Sequence, residues 1–203
     1  MRRLLLVLGV CYAATLAHAA PAPKDADKLV LVSNRTGSAN IFLVSPDGKD
    51  AKNLTDSKST NSYPAWSPDG KKIAFASDRD GGMNIYVMDA DGKNVQALTK
   101  GQEVSRVPTW SPDGKKITWT GRVGDALEIF SADADGKNAK QLTKLGGLNS
   151  YAAWSPDGKQ IVFHHSEGAS GAFYVMDADG GNQKVLLKDE AHVEGGRPSW
   201  KPK

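Results

Sequence analysis

Residues Trp66 to Thr99 read WSPDGKKIAFASDRDGGMNIYVMDADGKNVQALT, and the rest of the chain repeats this stretch. Trp66, Trp110, Trp154 and Trp200 are spaced by 44, 44 and 46 residues. Trp-Ser-Pro-Asp-Gly-Lys stands complete at Trp66–Lys71, Trp110–Lys115 and Trp154–Lys159. Proline presets φ at about −65° and glycine supplies a positive φ, so Ser-Pro-Asp-Gly is a tight turn. The turn leads into Ile73–Ala76, Ile117–Thr120 and Ile161–His164, where large and small side chains alternate. That is the pattern of a strand packed on both faces. A second run, Ile85–Met88, Ile129–Ala132 or Phe173–Met176, ends in Asp-Ala-Asp-Gly, another hairpin signal. A third run, such as Val95–Leu98, closes the unit. With the segment before the next Trp, each unit holds four strands, named A (ending at Trp), B, C and D. A period of roughly 40–45 residues with four strands per unit predicts a β-propeller.

The tryptophans sit at one repeat position and read as core rather than as platforms for a ligand. Each Trp buries roughly 150–250 Å². Trp119 lies outside the 44-residue series but fills the slot of Phe75 and Phe163, so it reads as core as well.

Outside the repeat, Arg2 and Arg3, the apolar run Leu4–Leu16 and the small-x-small triplet Ala17-His18-Ala19 form a secretory signal peptide. Cleavage is expected after Ala19, with 20–27 a Pro/Ala-rich leader and 28–203 the propeller domain. The single cysteine, Cys11, falls inside the signal. A cysteine-free mature chain suits an oxidising compartment. The formal charge of +3 falls to +1 without Arg2 and Arg3, and no basic stripe stands out. Nucleic acid is therefore not an expected partner, and no later apolar run has membrane length.

Leu29–Val32, Ile41–Val44 and Lys52–Thr55 supply strands B, C and D of a first unit that lacks strand A. Arg197-Pro-Ser-Trp200 reads as the missing A strand at the far end. The expected fold is an all-β propeller of four four-stranded blades, closed by this N-/C-terminal Velcro seam. Such a seam protects edges otherwise open to pairing. The same pairing between two chains, giving a larger ring, is the alternative, so the chain is expected to be a monomer or a homodimer.

The A–B and C–D turns barely change between units, whereas the B–C and D–A loops differ. The variable loops share one end of the propeller, and loops on a rigid scaffold are where sites lie. Asn61-Ser-Tyr63 and Asn149-Ser-Tyr151 recur two units apart, with Arg106 and Arg197 in the units between. Arg35 and Arg79 occupy matching B–C positions. Tyr63, Tyr151, Arg106, Arg197, Arg35 and Arg79 are the candidate partner-binding residues. The tyrosines would give aromatic contact and the arginines carboxylate or carbonyl recognition. The competing reading pairs Arg35 and Arg79 with loop aspartates and packs the tyrosines between blades.

Asp89–Asn94 has its Gly fourth, whereas a calcium loop of the helix–loop–helix type needs Gly sixth and Glu twelfth, so it reads as a turn. His164 and His165 are adjacent and point to opposite faces of a strand. His165 with His192, Glu167 or Glu194 is the alternative, metal-assisted carbohydrate-active enzyme. No nucleophile elbow or phosphate-cradling loop is present, so no catalytic residue, metal or cofactor is expected.

Trp-Ser-Pro-Asp-Gly-Lys, Ser77-Asp-Arg79-Asp-Gly, Asn84–Asp89 and Asp91-Gly-Lys-Asn together resemble the TolB-type β-propeller repeat. The resemblance runs from Lys28 to Trp200. It implies a periplasmic, non-catalytic propeller in the cell envelope, with an envelope protein or peptide as partner, such as the lipoprotein bound in the Tol–Pal system. The family's namesake carries six blades behind a smaller α/β domain; four units are visible in this sequence.

Overall fold

The computed structural model describes residues 28–101, 104–168, 170–189 and 197–201. The expected signal peptide and leader, and His192 and Glu194, lie outside the described residues. Within them the chain is all β and builds successive antiparallel units. The first holds β1 (Leu29–Ser33), β2 (Asn40–Val44) and β3 (Ala51–Asn53). The second holds β4 (Asn61–Trp66), β5 (Lys72–Ser77), β6 (Asn84–Asp89) and β7 (Gln96–Ala97). The third holds β8 (Ser105–Trp110), β9 (Lys116–Val123), β10 (Ala126–Asp133) and β11 (Lys140–Gln141). The fourth holds β12 (Leu148–Trp154), β13 (Gln160–Glu167), β14 (Ser170–Asp177) and β15 (Lys184–Asp189). Strand order follows chain order in each unit, and a parallel bridge at Leu127–Leu148 joins the third to the fourth.

The alternation of large and small residues explains how the blades stack. Ile73 and Phe75 of β5 pack back against Ile41 and Leu54 of the first blade. Ala74 and Ala76, on the other face of β5, receive Trp110, Ile117 and Trp119 of the third. Ile161 and Phe163 then pack on Ile129 and Leu142. At the interface of the second and third blades a large face meets a small one, as close packing favours. Stacked ring pairs recur at equivalent positions, Phe75–Tyr86 at 5.7 Å and Phe163–Tyr174 at 5.5 Å. The strand-A tryptophans are bolts between blades. Trp110 Nε1 donates to Ala65 O at 3.1 Å, and Trp154 Nε1 donates to Thr118 Oγ1 at 3.2 Å.

The ring closure expected from the sequence is not seen among the described residues. No sheet closes: β1–β2–β3 has three strands, and Arg197–Trp200 forms no strand. Trp200 nevertheless docks on the fourth blade, its Nε1 donating to Ala153 O at 3.0 Å.

The Ser-Pro-Asp-Gly turns are held by one repeated network. The Ser67 hydroxyl donates to Asp69 Oδ1 at 2.7 Å and the Lys71 amide donates to the same oxygen at 3.1 Å. Gly70 adopts φ 68°. The Asp-Ala-Asp-Gly turn needs its glycine for a second reason. At Gly92 (φ 91°) a Cβ would lie 2.8 Å from Leu54 O of the preceding blade.

These turns predict an acid limit to stability. Hydrogen bonds from the Ser67 hydroxyl and the Lys71 amide hold Asp69 below the usual carboxylate range. Equivalent donors act on Asp47, Asp113 and Asp157. Hydrogen bonds from Asn94 and Lys72 lower Asp89, and those from Lys116 and Asn138 lower Asp133. A carboxylate depressed in the folded state stabilises it above the unfolded pKa, about 3.9, and that gain is lost as pH falls through the folded pKa. The thermal midpoint should be flat from about pH 7 to pH 5 and fall below about pH 4. A midpoint already falling between pH 7 and 5 would show that other groups control it.

Candidate functional site

The B–C and D–A loops gather at one end of each blade, where strands A begin. Their inner strands share a bulge that the sequence does not announce. Register shifts fall at Ser62/Ala65, Arg106/Thr109 and Ser150/Ala153. Inside them Tyr63, Val107 and Tyr151 adopt φ 52°, 54° and 57°. A β-branched residue in that region is a genuine outlier, and such strain costs of the order of 1–3 kcal/mol. The bulge turns three equivalent inner-strand positions out of the ladder.

Behind the bulges lies a buried polar node, also repeated. Asn40, Asn84 and Glu128 lie at or near the start of the C strands of three blades, each at most 3% exposed. Each accepts from a threonine at the end of strand D. Thr55 Oγ1 donates to Asn40 Oδ1 at 2.8 Å, Thr99 Oγ1 to Asn84 Oδ1 at 3.1 Å, and Thr143 Oγ1 to Glu128 Oε2 at 2.5 Å. The same threonines accept the amides of Ile41, Ile85 and Ile129. Strand A of the following blade then joins. Asn149 Nδ2 donates to Glu128 Oε2 at 3.0 Å, and Asn61 Nδ2 donates to Asn40 Oδ1 at 3.3 Å and Ala39 O at 3.2 Å. Asn61 and Asn149, fully buried, therefore bind blade to blade. A polar residue recurring every 44 positions, directly before Ile41, Ile85 and Ile129, was the available signal.

The carboxamide oxygens of these two asparagines each meet a nitrogen-bearing side chain. Arg79 Nη2 donates to Asn61 Oδ1 at 2.9 Å and its Nε to Ser77 Oγ at 3.1 Å. Its guanidinium lies over the Tyr86 ring at 4.8 Å and the Phe75 ring at 5.2 Å. Burial lowers the pKa of Arg79, with Tyr86 and Asp80 opposing. The Tyr86 hydroxyl donates to Asp80 Oδ2 at 2.7 Å, and burial together with that bond pushes its pKa up to about 12. Two blades on, His165 takes the same role: its Nδ1 is 2.9 Å from Asn149 Oδ1, and its ring meets Tyr174 edge-on at 5.4 Å. His164 points to the opposite face, against Phe173 at 5.2 Å.

The other candidate residues divide. Tyr63 is half-buried and packs with Ala76, Ile85, Trp119 and Ala132 between the second and third blades. Arg35 is exposed, its Nε donating to Ser33 Oγ at 3.3 Å and its guanidinium 4.8 Å over Phe42. Arg106, half-buried, lies opposite Thr120 on β8. Tyr151 and Arg197, 46 residues apart in sequence, come together, with the exposed Arg197 guanidinium 5.1 Å over the Tyr151 ring. In the fourth blade a cleft of about 530 Å³ is lined by His165, Glu167, Ser170, Tyr174 and Lys188 among others. Among the described residues no three His, Cys, Asp or Glu side chains gather closely enough to hold a metal ion.

Stacked four-stranded antiparallel blades with strand-A tryptophan bolts and a variable-loop rim define a β-propeller-type repeat protein. The TolB beta propeller domain family matches residues 12–203, and the chain belongs to that family. No curated protein matches it in sequence. Among solved structures, the chain is similar to a protein designated TolB from Agrobacterium tumefaciens. That match has 26% identity and TM-score 0.76, covering 87% of this chain and 67% of the other. TolB from Acinetobacter baumannii is 29% identical with TM-score 0.69, covering 81% of this chain and 41% of that one. The chain thus spans about two fifths of the length of the second relative. An oligogalacturonate lyase from Vibrio parahaemolyticus, at 16% identity and TM-score 0.65, shares the fold alone.

Proposed function

We propose that the protein is a periplasmic, non-catalytic propeller that binds an envelope protein or peptide at its variable-loop rim. The observation that carries this reading is the exposed Arg197 guanidinium stacked on Tyr151. Of the other two rim arginines over an aromatic ring, Arg79 is held internally by Asn61 and Ser77, and Arg35 lies over Phe42 rather than a tyrosine. A guanidinium resting on a tyrosine and open to solvent suits a carboxylate or backbone carbonyl, and Tyr and Arg dominate binding hot spots. Arg106 and Arg35 extend the cationic rim, while Tyr63 and Arg79 shape it from within. Membership of the TolB propeller family supports the envelope setting. Completion of the β1–β3 blade by Arg197–Trp200, for four blades in all, belongs to the same reading.

The test is affinity capture with cross-linking from an envelope extract, followed by binding measurements on the captured protein. Tyr151→Ala with Arg197→Ala should weaken binding by about thirtyfold, the equivalent of about 2 kcal/mol. A folded double variant with unchanged affinity removes this rim from the site.

A further inference from the structure

Among the described residues the two ends of the repeat array are incomplete, and each has what the other lacks. Strands β5, β9 and β13 each pair with an inner strand, β4, β8 and β12, that ends in Trp. β1 occupies the same position in the first blade, yet among the described residues it pairs with β2 alone. Leu29, at the position of Ile73, shows the consequence: Ile73 is 0% exposed and Leu29 is 55% exposed.

At the other end, Pro198-Ser-Trp200 repeats the Pro-x-Trp of Pro64–Trp66 and Pro108–Trp110. Trp200 also makes the same contact as its counterpart. Its Nε1 donates to Ala153 O, as Trp110 Nε1 donates to Ala65 O one blade earlier. Residues 197–200 therefore already lie where the inner strand of a following blade belongs.

We propose that Arg197–Trp200 of one copy completes the β1–β3 blade of a second copy, so that two chains assemble head to tail. This rests on the reading above that the segment completes the first blade; what is added is the source of the strand. Among the described residues no strand of the first blade packs extensively on a strand of the fourth, so closure within one chain would require the blades to shift against one another. The blade interfaces hold Ile73, Phe75, Ile117, Ile161 and Phe163, each at 0% exposure. Cores packed to that degree resist deformation. A second copy brings the missing strand to β1 with the existing interfaces unchanged. By two-fold symmetry the pairing happens twice, and neither copy is left with an unpaired inner edge on β1.

The register of β4 on β5, Ala65 opposite Ala74 and Trp66 opposite Ile73, carries over to the seam. It places Ser199 opposite Val30 and Trp200 opposite Leu29. Directly opposed residues of an antiparallel pair have Cα atoms about 4.5–5.5 Å apart, within disulfide reach. In a Cys11→Ser background, Val30→Cys and Ser199→Cys chains are mixed during refolding and then oxidised. A disulfide between one chain of each kind is expected. Light scattering on the unsubstituted protein should give twice the mass of one chain. If the doubly substituted chain links to itself and the unsubstituted protein has the mass of one chain, blade completion stands and the second copy is refuted. If no disulfide forms in either arrangement, completion of the blade fails and the inference falls with it.

Discussion

Replacing Trp110 by Ala should cost about 3–5 kcal/mol, most of what holds a domain of this kind folded. The side chain is 9% exposed and packs on Ala74, Val87 and Ile117, residues of two different blades. It also donates across the interface to Ala65 O. The substitution therefore opens a cavity, removes apolar burial and leaves a carbonyl without its donor. All three losses fall on one seam, so the second and third blades should separate early in a denaturant titration. Trp119 supplies the control. It is 2% exposed, but its Nε1 is buried with no hydrogen-bond acceptor among the described residues. The equivalent positions are already Phe75 and Phe163. Trp119→Phe should thus lose little, under about 1 kcal/mol, because the smaller ring also removes an unsatisfied donor. Equal effects of the two substitutions on urea midpoints would mean that Trp110 is only filler.

Turns and the B and C strands were readable because their determinants are local. Pro68 and Gly70 dictate the backbone of their own turn, and Ile73-Ala-Phe75-Ala carries its facing in its alternation. The rim was less readable because its determinants are distant. Nothing in Tyr63, Val107 or Tyr151 signals a positive φ, a conformation usually given to Gly or Asn. Those residues hold it because the neighbouring ladder on both sides fixes the chain ends of the bulge. Arg79 read either as a partner-binding cation or as paired with a loop aspartate, whereas its hydrogen-bond partner Asn61 is 18 residues away. The two meet only because β4 lies on β5 with Asn61 opposite Ser77. The same pairing puts His165, at the repeat position of Ser77, opposite Asn149, so the two asparagines take their partners from different repeat positions. The pairing of Tyr151 with Arg197 depends on where residues 197–200 dock, and Trp200 decides that through Ala153 O.

Glu128→Ala should lower stability by about 3 kcal/mol and loosen the rim, although the residue is only 3% exposed. The first two blades manage with a neutral Asn at this position. Glu128 does more, accepting from Thr143 Oγ1, from Asn149 Nδ2 at 3.0 Å and from the Gly146 amide at 2.9 Å. Asn149 retains the Leu127 and Gly146 carbonyls when the carboxylate is removed. Thr143 and the Gly146 amide lose their acceptor, at about 1–3 kcal/mol for each buried group left unpaired. Glu128→Gln keeps the length but puts an amide donor where an oxygen stood, so it should cost roughly half as much. The two variants separate lost packing from lost acceptor capacity. The effect reaches the binding surface because Asn149 also orients His165, and Tyr151 follows two residues later on the same strand. Amide hydrogen exchange at Gly146 should accelerate in Glu128→Ala, and the affinity measured at the Tyr151–Arg197 rim should fall with it. An unchanged exchange rate, with stability within about 0.5 kcal/mol of the parent, would show that water replaces the carboxylate and that the node is not what aligns the rim.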